Sequence, residues 1–382
     1  VAPVNTRAWF DQANIDRKQK LVSVDLSGLS GERLENMCVM FQYAKQLETV
    51  NFPADFDTSH VTDMSYMFNY CEKLQTVNVS GWDMSNVERI EWMFDHCLKV
   101  NNLDTSRWNI TSKITNLQRM FEYCNSLETL DVSNWDVSNV TNMDRLFGNC
   151  WKLKVIDVSR WNTSSCTNMQ RMFEAVNSVG TLDVSGWDTS KVTTMYGMFG
   201  HINGAMTSVD ITGWNTSNVT NMSAMFAYSG SLTEVKGLDT IDTSSVTTMA
   251  TMFYQTWDLV NIDVSHFDMT NVTTVSGMFA GDSWNQNFYK NPKNLTLFPK
   301  VNPDTNVNNF VSVPLAEGKT VTVDAEGNVI VSPAAVEVTN ENELIAAIAN
   351  AADSAVIRLK NNIALTDTLT IPAGKNITID LN

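Results

Sequence analysis

The sequence predicts an α/β repeat protein, a solenoid of short strand-turn-helix coils, and two observations lead to that prediction. The hydrophobic period changes within each unit, from alternation to steps of three and four residues. A repeat that cannot bury its apolar face alone is typical of stacked coils. The unit recurs ten times at a spacing of 26 or 27 residues, beginning at Leu21, Leu47, Leu74, Val100, Leu127, Leu153, Val179, Met206, Leu232 and Leu259.

Composition limits the classes of partner. The 382 residues carry a net charge of −16 and are 43% hydrophobic, which is enough for a sizeable core. Because that charge repels other anions, we expect no nucleic-acid partner. The sequence has no apolar run of 18 residues, so we expect no direct membrane insertion. We expect the chain to be a fragment, with its export signal and anchor outside it.

Each unit predicts a short strand followed by a short helix. Leu127, Leu130 and Val132 suit a strand, with polar residues on its other face. Apolar residues then recur at helical steps from Val140 to Cys150. A hydroxyl residue two positions before each such Val predicts a helix N-cap. These residues are Ser59, Ser85, Thr111, Ser138, Ser164, Ser190, Ser217, Ser244 and Thr270.

A Met-Phe pair is the strongest column of the repeat. We expect its side chains to form a buried spine shared by all the coils, and not a cofactor site. Each Phe follows Met except Phe147, which follows Leu146. The column comprises Phe41, Phe68, Phe94, Phe121, Phe147, Phe173, Phe199, Phe226, Phe253 and Phe279.

Composition changes along the chain predict four regions. Residues 1–20 read as an N-terminal cap or degenerate coil, and residues 21–283 as the solenoid. Residues 284–334 read as a C-terminal cap and a linker with a hairpin around Gly327. Residues 335–382 read as the truncated start of a β-helix, with a helix at Glu343 to Ala351 between strand-like segments.

The repeat resembles a known family of surface proteins. The string Leu-Asp-Val-Ser-x-Trp-Asp-x-Ser-x-Val-Thr-x-Met-x-x-Met-Phe-x-x-Cys stands nearly intact from Leu130 to Cys150. Over residues 21–280 the chain resembles the BspA-like leucine-rich repeat proteins, which are mostly bacterial, secreted or on the cell surface, and implicated in adhesion. That resemblance implies a leucine-rich-repeat solenoid with a binding role, and it names no catalytic residue. Residues 335–382 resemble the opening of a pectate-lyase-like right-handed parallel β-helix.

Two columns of Asp and Asn in the repeat are candidates for metal binding. Stacked carboxylates such as Asp104, Asp131 and Asp157 could hold calcium, or each could accept hydrogen bonds from backbone or Ser donors of a neighbouring coil. The second reading is favoured because the calcium-binding nonapeptide spacing is absent, so we expect no metal and no cofactor. Four cysteines share one column, and a helix spacing near 10 Å predicts free, buried thiols there.

A partner surface should differ between coils while staying exposed. The positions two before and two after each Phe place aromatic and Arg side chains together in the second to sixth coils, which are residue types enriched in binding hot spots. The strand face, with Thr129, Asp131 and Ser133, is the competing surface. The candidate partner-binding residues are Tyr66, Tyr70, Trp92, His96, Arg119, Tyr123, Arg145 and Arg171.

These observations favour an extracellular adhesin that recognises a host or microbial surface protein or glycan by non-covalent contact, and not an enzyme. We expect a monomer anchored at the cell surface by a segment outside the chain. Two alternatives stay open. The chain could be the targeting arm of a carbohydrate-active β-helix enzyme with its active site beyond residue 382, or a structural spacer of a surface assembly.

Overall fold

The computed structural model is a β-solenoid of about 12 turns followed by a hairpin and a small parallel sheet. It describes residues 3–12, 21–279, 294–305, 319–333, 335–351, 355–366 and 368–381. Residues 3–12 lie on the first complete coil, where Phe10 stacks on Phe41 with ring centroids 5.1 Å apart. The predicted cap from residue 284 lies partly outside the described residues. Its described part, 294–305, adds a partial coil that buries Phe298 and Val301.

Short parallel strands line one side of the solenoid. The strands are β1 (Ser23–Asp25), β2 (Thr49–Asn51), β3 (Thr76–Val77), β4 (Ser208–Asp210), β5 (Glu234–Lys236), β6 (Asn261–Asp263) and β7 (Asn294–Thr296). They form sheets in the orders β1-β2-β3, β4-β5 and β6-β7. Between β3 and β4 the same column continues as isolated bridges that join Asn102, Thr129 and Val155. A 3-10 turn spans Leu238–Thr240.

The predicted Met-Phe spine is confirmed. Every Phe of the column is buried, and neighbouring rings stack from coil to coil. Their centroids lie between 5.1 Å, for Phe10 and Phe41, and 6.2 Å, for Phe121 and Phe147. Because each ring has a ring above and below it, the core is one continuous stack.

The helix predicted in each coil is wrong, and with it the α/β assignment of the repeat. The segment around each Phe is a run of tight turns. In the second coil the N–H groups of Met67 and Cys71 donate to Met64 and Phe68 of the same coil, at 3.3 and 3.0 Å. The N–H of Phe68, between them, donates to Met93 of the next coil at 2.9 Å. Alternate N–H groups therefore bind neighbouring coils, which an α-helix cannot allow because it keeps these bonds internal.

The hydroxyl residues predicted to cap helices have another role. The N–H of Ser138 donates to the Asp136 carboxylate at 3.1 Å and closes a local turn. The first Asp column behaves in the same way, since Asp131 accepts from the N–H and hydroxyl of Ser133 at 3.1 and 2.7 Å. The prediction that the donors come from a neighbouring coil is wrong, since Ser133 stands two residues after Asp131 in the same coil. Equivalent bonds from Ser106 hold the pKa of the Asp104 carboxyl below its ordinary value.

All six cysteines are free and buried. The prediction of free, buried thiols rested on a spacing near 10 Å between helices of adjacent coils, and that spacing is wrong. Neighbouring coils lie much closer than packed helices, as the 5.3 Å between the rings of Phe68 and Phe94 shows. The thiol of Cys97 donates to the carbonyl of Phe68 at 3.2 Å. Hydrogen bonding between coils therefore occupies these thiols.

The C-terminal part has its own core, formed by Val338, Leu344, Ile348 and Ile357. A predicted hairpin is present, with Gly327 in its turn at φ +83°. A helix overlaps the one predicted at Glu343 to Ala351. It begins after Asn340, whose side chain accepts from the Glu343 N–H at 3.0 Å. The remaining elements are β8 (Lys319–Val323), β9 (Val329–Pro333), β10 (Val336–Val338), α1 (Glu341–Asn350), β11 (Ala355–Leu359) and β12 (Ile377–Asp380), with β10-β11-β12 parallel.

Candidate functional site

Two positions of each turn segment adopt a left-handed backbone. Among the described residues, all 18 non-glycine residues with positive φ stand two before or two after a Phe of the spine, with φ between +51° and +62°. A left-handed residue other than Gly costs about 1–2 kcal/mol. The conformation lets the N–H groups of Tyr66 and Tyr70 reach the next coil at 3.0 and 2.8 Å. The ladder of bonds between coils therefore stabilises an otherwise unfavourable backbone.

The first of these positions carries what we call the arginine ladder: Tyr66, Trp92, Arg119, Arg145 and Arg171. The rings of Tyr66 and Trp92 stack with centroids 5.6 Å apart. The Arg119 guanidinium lies over the Trp92 ring at 4.2 Å, and that of Arg171 lies over Tyr196 at 4.8 Å. These are cation-π contacts between coils.

The second position carries the tyrosine ladder: Tyr43, Tyr70, His96 and Tyr123. Tyr43 stacks on Tyr70 at 5.1 Å, and Tyr70 stacks on His96 at 4.1 Å. The ring of Tyr123 follows at 4.4 Å from His96. Because each ring covers the face of the next, the ladder presents ring edges and hydroxyl groups to solvent.

Buried carboxylates lie beneath both ladders. The side chains of Asp95 and Glu122 are 0% and 4% exposed, and each follows a spine Phe directly. Asp95 lies 2.9 Å from the Nδ1 of His96 and accepts from the Asn69 amide at 2.7 Å. Glu122 lies 3.1 Å from the guanidinium of Arg119. The carboxylates therefore join the two ladders into one surface, which we call the aromatic–arginine face.

The network continues along the solenoid. Arg145 lies 3.5 Å from Glu122 and 3.0 Å from Asp144. Arg171 lies 3.6 Å from Glu174, whose side chain is 12% exposed. The Nε2 of His201 lies 4.0 Å from the same Glu174 carboxylate. Each of these guanidiniums is thus held by at least one carboxylate.

Burial shifts the acidity of this network. It raises the pKa of Glu122 to about 7, and the nearby Arg119 and Arg145 offset only part of that rise. It also raises the pKa of Asp95 and of Glu174 above their ordinary values. These three carboxyl groups therefore take up protons at higher pH than exposed ones.

The network leaves some of its polar atoms without a hydrogen bond. One oxygen of Asp95, one oxygen of Glu122 and the Nε atoms of Arg119 and Arg171 are buried and lack a geometrically sound partner. A buried unsatisfied polar atom costs about 1–3 kcal/mol. The ion pairs of this face are therefore held in imperfect geometry.

All eight residues predicted to bind a partner are half-buried and belong to the two ladders. The helical reason for placing them together is wrong, since the turn geometry aligns them. Sequence reasoning missed Tyr43, which obeys the same position rule in the first coil, and the carboxylates beneath. The sequence did contain a signal for the left-handed backbone. Gly197 and Gly277 stand two residues before a spine Phe and Asn149 stands two residues after one, and Gly and Asn tolerate such a backbone.

The strand face offers a shallow groove of about 620 Å³. Buried Leu103 and Leu130 form its floor together with Val155, which is 66% exposed. Asp131 and Asp157 stand along its rim. The predicted competing surface is therefore a real concavity with an acidic edge.

Two classes of site are lacking in the described ranges. No group of three or more His, Cys, Asp or Glu side chains there is arranged to hold a metal ion. None of the helices in that part of the chain has the length and apolar character needed to cross a bilayer.

A family model described as "Mycoplasma protein of unknown function, DUF285" matches the solenoid in three overlapping stretches, residues 6–129, 101–209 and 201–295. No curated protein matches the chain. Because the family match ends at residue 295, the pectate-lyase-like resemblance of residues 335–382 stays a prediction.

Three solved structures show distant similarity. A leucine-rich cell surface protein from Faecalibacterium prausnitzii A2-165 is 16% identical, with 73% of this chain and 74% of that chain covered and a TM-score of 0.36. A leucine-rich repeat protein from Bacteroides ovatus ATCC 8483 is 14% identical, with 66% and 72% covered and a TM-score of 0.30. A Leptospira interrogans LRR protein is 10% identical, with 66% and 85% covered and a TM-score of 0.18.

Proposed function

We propose that this chain, which belongs to the family described as Mycoplasma protein of unknown function, DUF285, is a binding module of a bacterial cell surface. Its aromatic–arginine face recognises a host or microbial surface partner by non-covalent contact, and it acts as an adhesin and not as an enzyme. The module acts as a monomer.

One observation carries this proposal. Gly adopts a left-handed backbone without strain, and the chain uses Gly197 and Gly277 at the first ladder position of two coils. In five consecutive coils the same position instead holds Tyr66, Trp92, Arg119, Arg145 or Arg171. Five bulky residues in an unfavourable backbone, side by side, favour selection for a surface, since folding alone would be served better by Gly.

The test compares the two candidate surfaces. One variant carries Trp92→Ala, Arg119→Ala and Tyr123→Ala, and its counterpart carries Asp131→Asn and Val155→Ala on the strand face. Both are applied to immobilised extracellular matrix proteins and to a glycan array, with thermal unfolding as the measure of folding.

We expect the first variant to lose binding at least tenfold, because it removes the centre of both ladders, and the second to bind like the unmodified chain. Loss of binding in the strand-face variant alone would move the site to the groove. Binding unchanged in both variants would refute the proposal.

A further inference from the structure

The charge of the aromatic–arginine face is set by buried groups. Six carboxylates oppose four guanidiniums there, so the face is negative when all ten are ionised. The guanidiniums are exposed to different degrees, from 14% for Arg145 to 58% for Arg89. The ten residues are Arg89, Arg119, Arg145, Arg171, Asp63, Glu91, Asp95, Glu122, Asp144 and Glu174.

Three of the six carboxylates are poorly placed to stay ionised. Asp95 and Glu122 follow consecutive spine rings, so two almost fully buried acids stand in adjacent coils, and one oxygen of each lacks a well-aligned hydrogen bond. Glu174 meets Arg171 only at 3.6 Å. Two like charges in a dry site favour protonation of at least one. Each proton taken up removes a negative charge from beneath an arginine.

Acidification therefore reverses the sign of the face. With Asp95, Glu122 and Glu174 neutral, one more guanidinium than carboxylate remains. The imidazoles of His96 and His201 lie against Asp95 and Glu174. Arg119, Arg145 and Asp95 are the charged groups near Glu122. Arg145 and Asp144 are charged groups of a neighbouring coil near Glu174. Asp144 also holds the Arg145 guanidinium at 3.0 Å.

We propose that the aromatic–arginine face binds sulfated polysaccharide, and binds it below neutral pH, once Asp95, Glu122 and Glu174 are protonated and no longer hold Arg119 and Arg171. This inference rests on the proposed function, since it names the ligand class and the regulation of the same face. A protonated carboxyl attracts a guanidinium far less than a carboxylate does, so the guanidiniums become available to another anion.

The chemistry of the ladders favours a sulfated sugar over other anions. Sulfate groups stay ionised throughout the interval in which the face changes sign, whereas the carboxylates of an acidic polypeptide begin to lose their charge near pH 4. The hydroxyls of Tyr43, Tyr70 and Tyr123, in the first, second and fourth coils, offer hydrogen bonds to sugar hydroxyls. The covered ring faces are closed to the stacking that an uncharged sugar would use.

The negative charge of the whole chain does not prevent this binding. At physiological ionic strength a charge is screened beyond about 8 Å, so the local network dominates the contact. The net charge of −16 at pH 7 also falls in magnitude as the pH falls. The global and the local field therefore change in the same direction.

The experiment measures binding of the full chain to immobilised dextran sulfate, dextran and polyglutamate at pH 5.5 and 7.5 and constant ionic strength. We expect dextran sulfate to bind at pH 5.5 and at least tenfold more weakly at pH 7.5, with no binding to dextran. Absence of binding to dextran sulfate at pH 5.5, or equal binding at both pH values, would overturn the inference. Stronger binding to polyglutamate than to dextran sulfate would assign the face to acidic polypeptides instead.

A pair of matched variants tests the mechanism. Glu122→Gln removes one of the three titrating charges, so we expect binding at pH 7.5 to rise part of the way toward that at pH 5.5. Glu128→Gln is the control, because Glu128 is an exposed carboxylate paired with Lys154 and should leave the pH profile unchanged. Should Glu122→Gln fail to fold by circular dichroism, Glu174→Gln takes its place with the same expectation. A pH profile that neither variant alters would overturn the role of these carboxyl groups.

The outcomes separate this inference from the proposed function. If dextran sulfate binds equally to the variant Trp92→Ala, Arg119→Ala, Tyr123→Ala, the face is not its site and the inference fails, and if that variant also keeps its matrix and glycan binding both proposals fail. If dextran sulfate does not bind but that variant loses a matrix or glycan partner, the proposed function stands and the inference about ligand class fails.

Discussion

At the scale of single residues, the close spacing of the coils leaves some positions no room for a side chain. A Cβ atom added at Gly204 would lie 1.9 Å from the carbonyl oxygen of Asn177, and one at Gly31 would lie 1.8 Å from that of Asp57. In both cases the neighbouring atom is backbone of another coil, which cannot move aside as a flexible side chain could. These glycines are therefore required by contact between coils and not by a positive φ.

We predict that Gly204→Ala lowers the free energy of unfolding by about 1–3 kcal/mol, because the added methyl group must push two coils apart. The matched control is Gly180→Ala, where nothing lies within 4 Å of the added atom. Its effect should stay within about 0.5 kcal/mol. Urea unfolding followed by circular dichroism measures both, and equal midpoints for the two variants would contradict the packing argument.

At the scale of the repeat element, spacing alone could not distinguish a helix from the turns that are present. Apolar residues at Val140, Met143, Phe147 and Cys150 all face the core in either structure, since both bring residues three and four apart to one side. The buried strand and spine positions could be predicted from the sequence, because the same residues are buried whether the backbone is helical or a run of turns. The sequence pattern does not show which carbonyl each N–H group donates to, because that depends on the neighbouring coil.

The left-handed positions allow a test of this backbone. We predict that Thr251→Gly stabilises the chain by roughly 0.5 kcal/mol, because Thr251 is a β-branched residue at φ +56° and Gly relieves that strain. Thr181→Gly is the control at an exposed position without positive φ, and it should destabilise by roughly 0.5–1 kcal/mol. Thermal unfolding of the two variants should shift in opposite directions, and a helical backbone at residue 251 would shift both downward.

At the scale of the whole molecule, the coils share one core, and no coil is a folding unit by itself. The Phe stack runs without interruption from Phe10 to Phe279, so a change at one coil is felt by its neighbours. The candidate surface could be predicted as a set of residues because its two columns are visible in the repeat. The carboxylates beneath it could not, because their burial depends on how tightly adjacent coils approach.

The buried cysteines report on the integrity of this stack. Burial raises the pKa of Cys150 and of Cys166 to about 12, so neither thiol forms the reactive thiolate near neutral pH. We predict no rapid reaction of these thiols with a chromogenic disulfide reagent at pH 8 in the folded chain, and reaction of all six after unfolding in guanidinium. A folded chain that reacts at once, or no newly reactive thiol on unfolding, would contradict the structure.

The alternation of hydrogen bonds in the turn segment has a consequence for how such a chain can lengthen. The N–H of Phe68 donates to the carbonyl of Met93 in the next coil, and the N–H of Phe94 donates in the same manner to Met120. The backbone donors on one side of a coil therefore match the backbone acceptors on the facing side of another. Duplicating a unit within the gene would therefore create a molecule whose new junctions are the same as its old ones. Evolution can extend the reach of this protein by whole increments without redesigning what is already there.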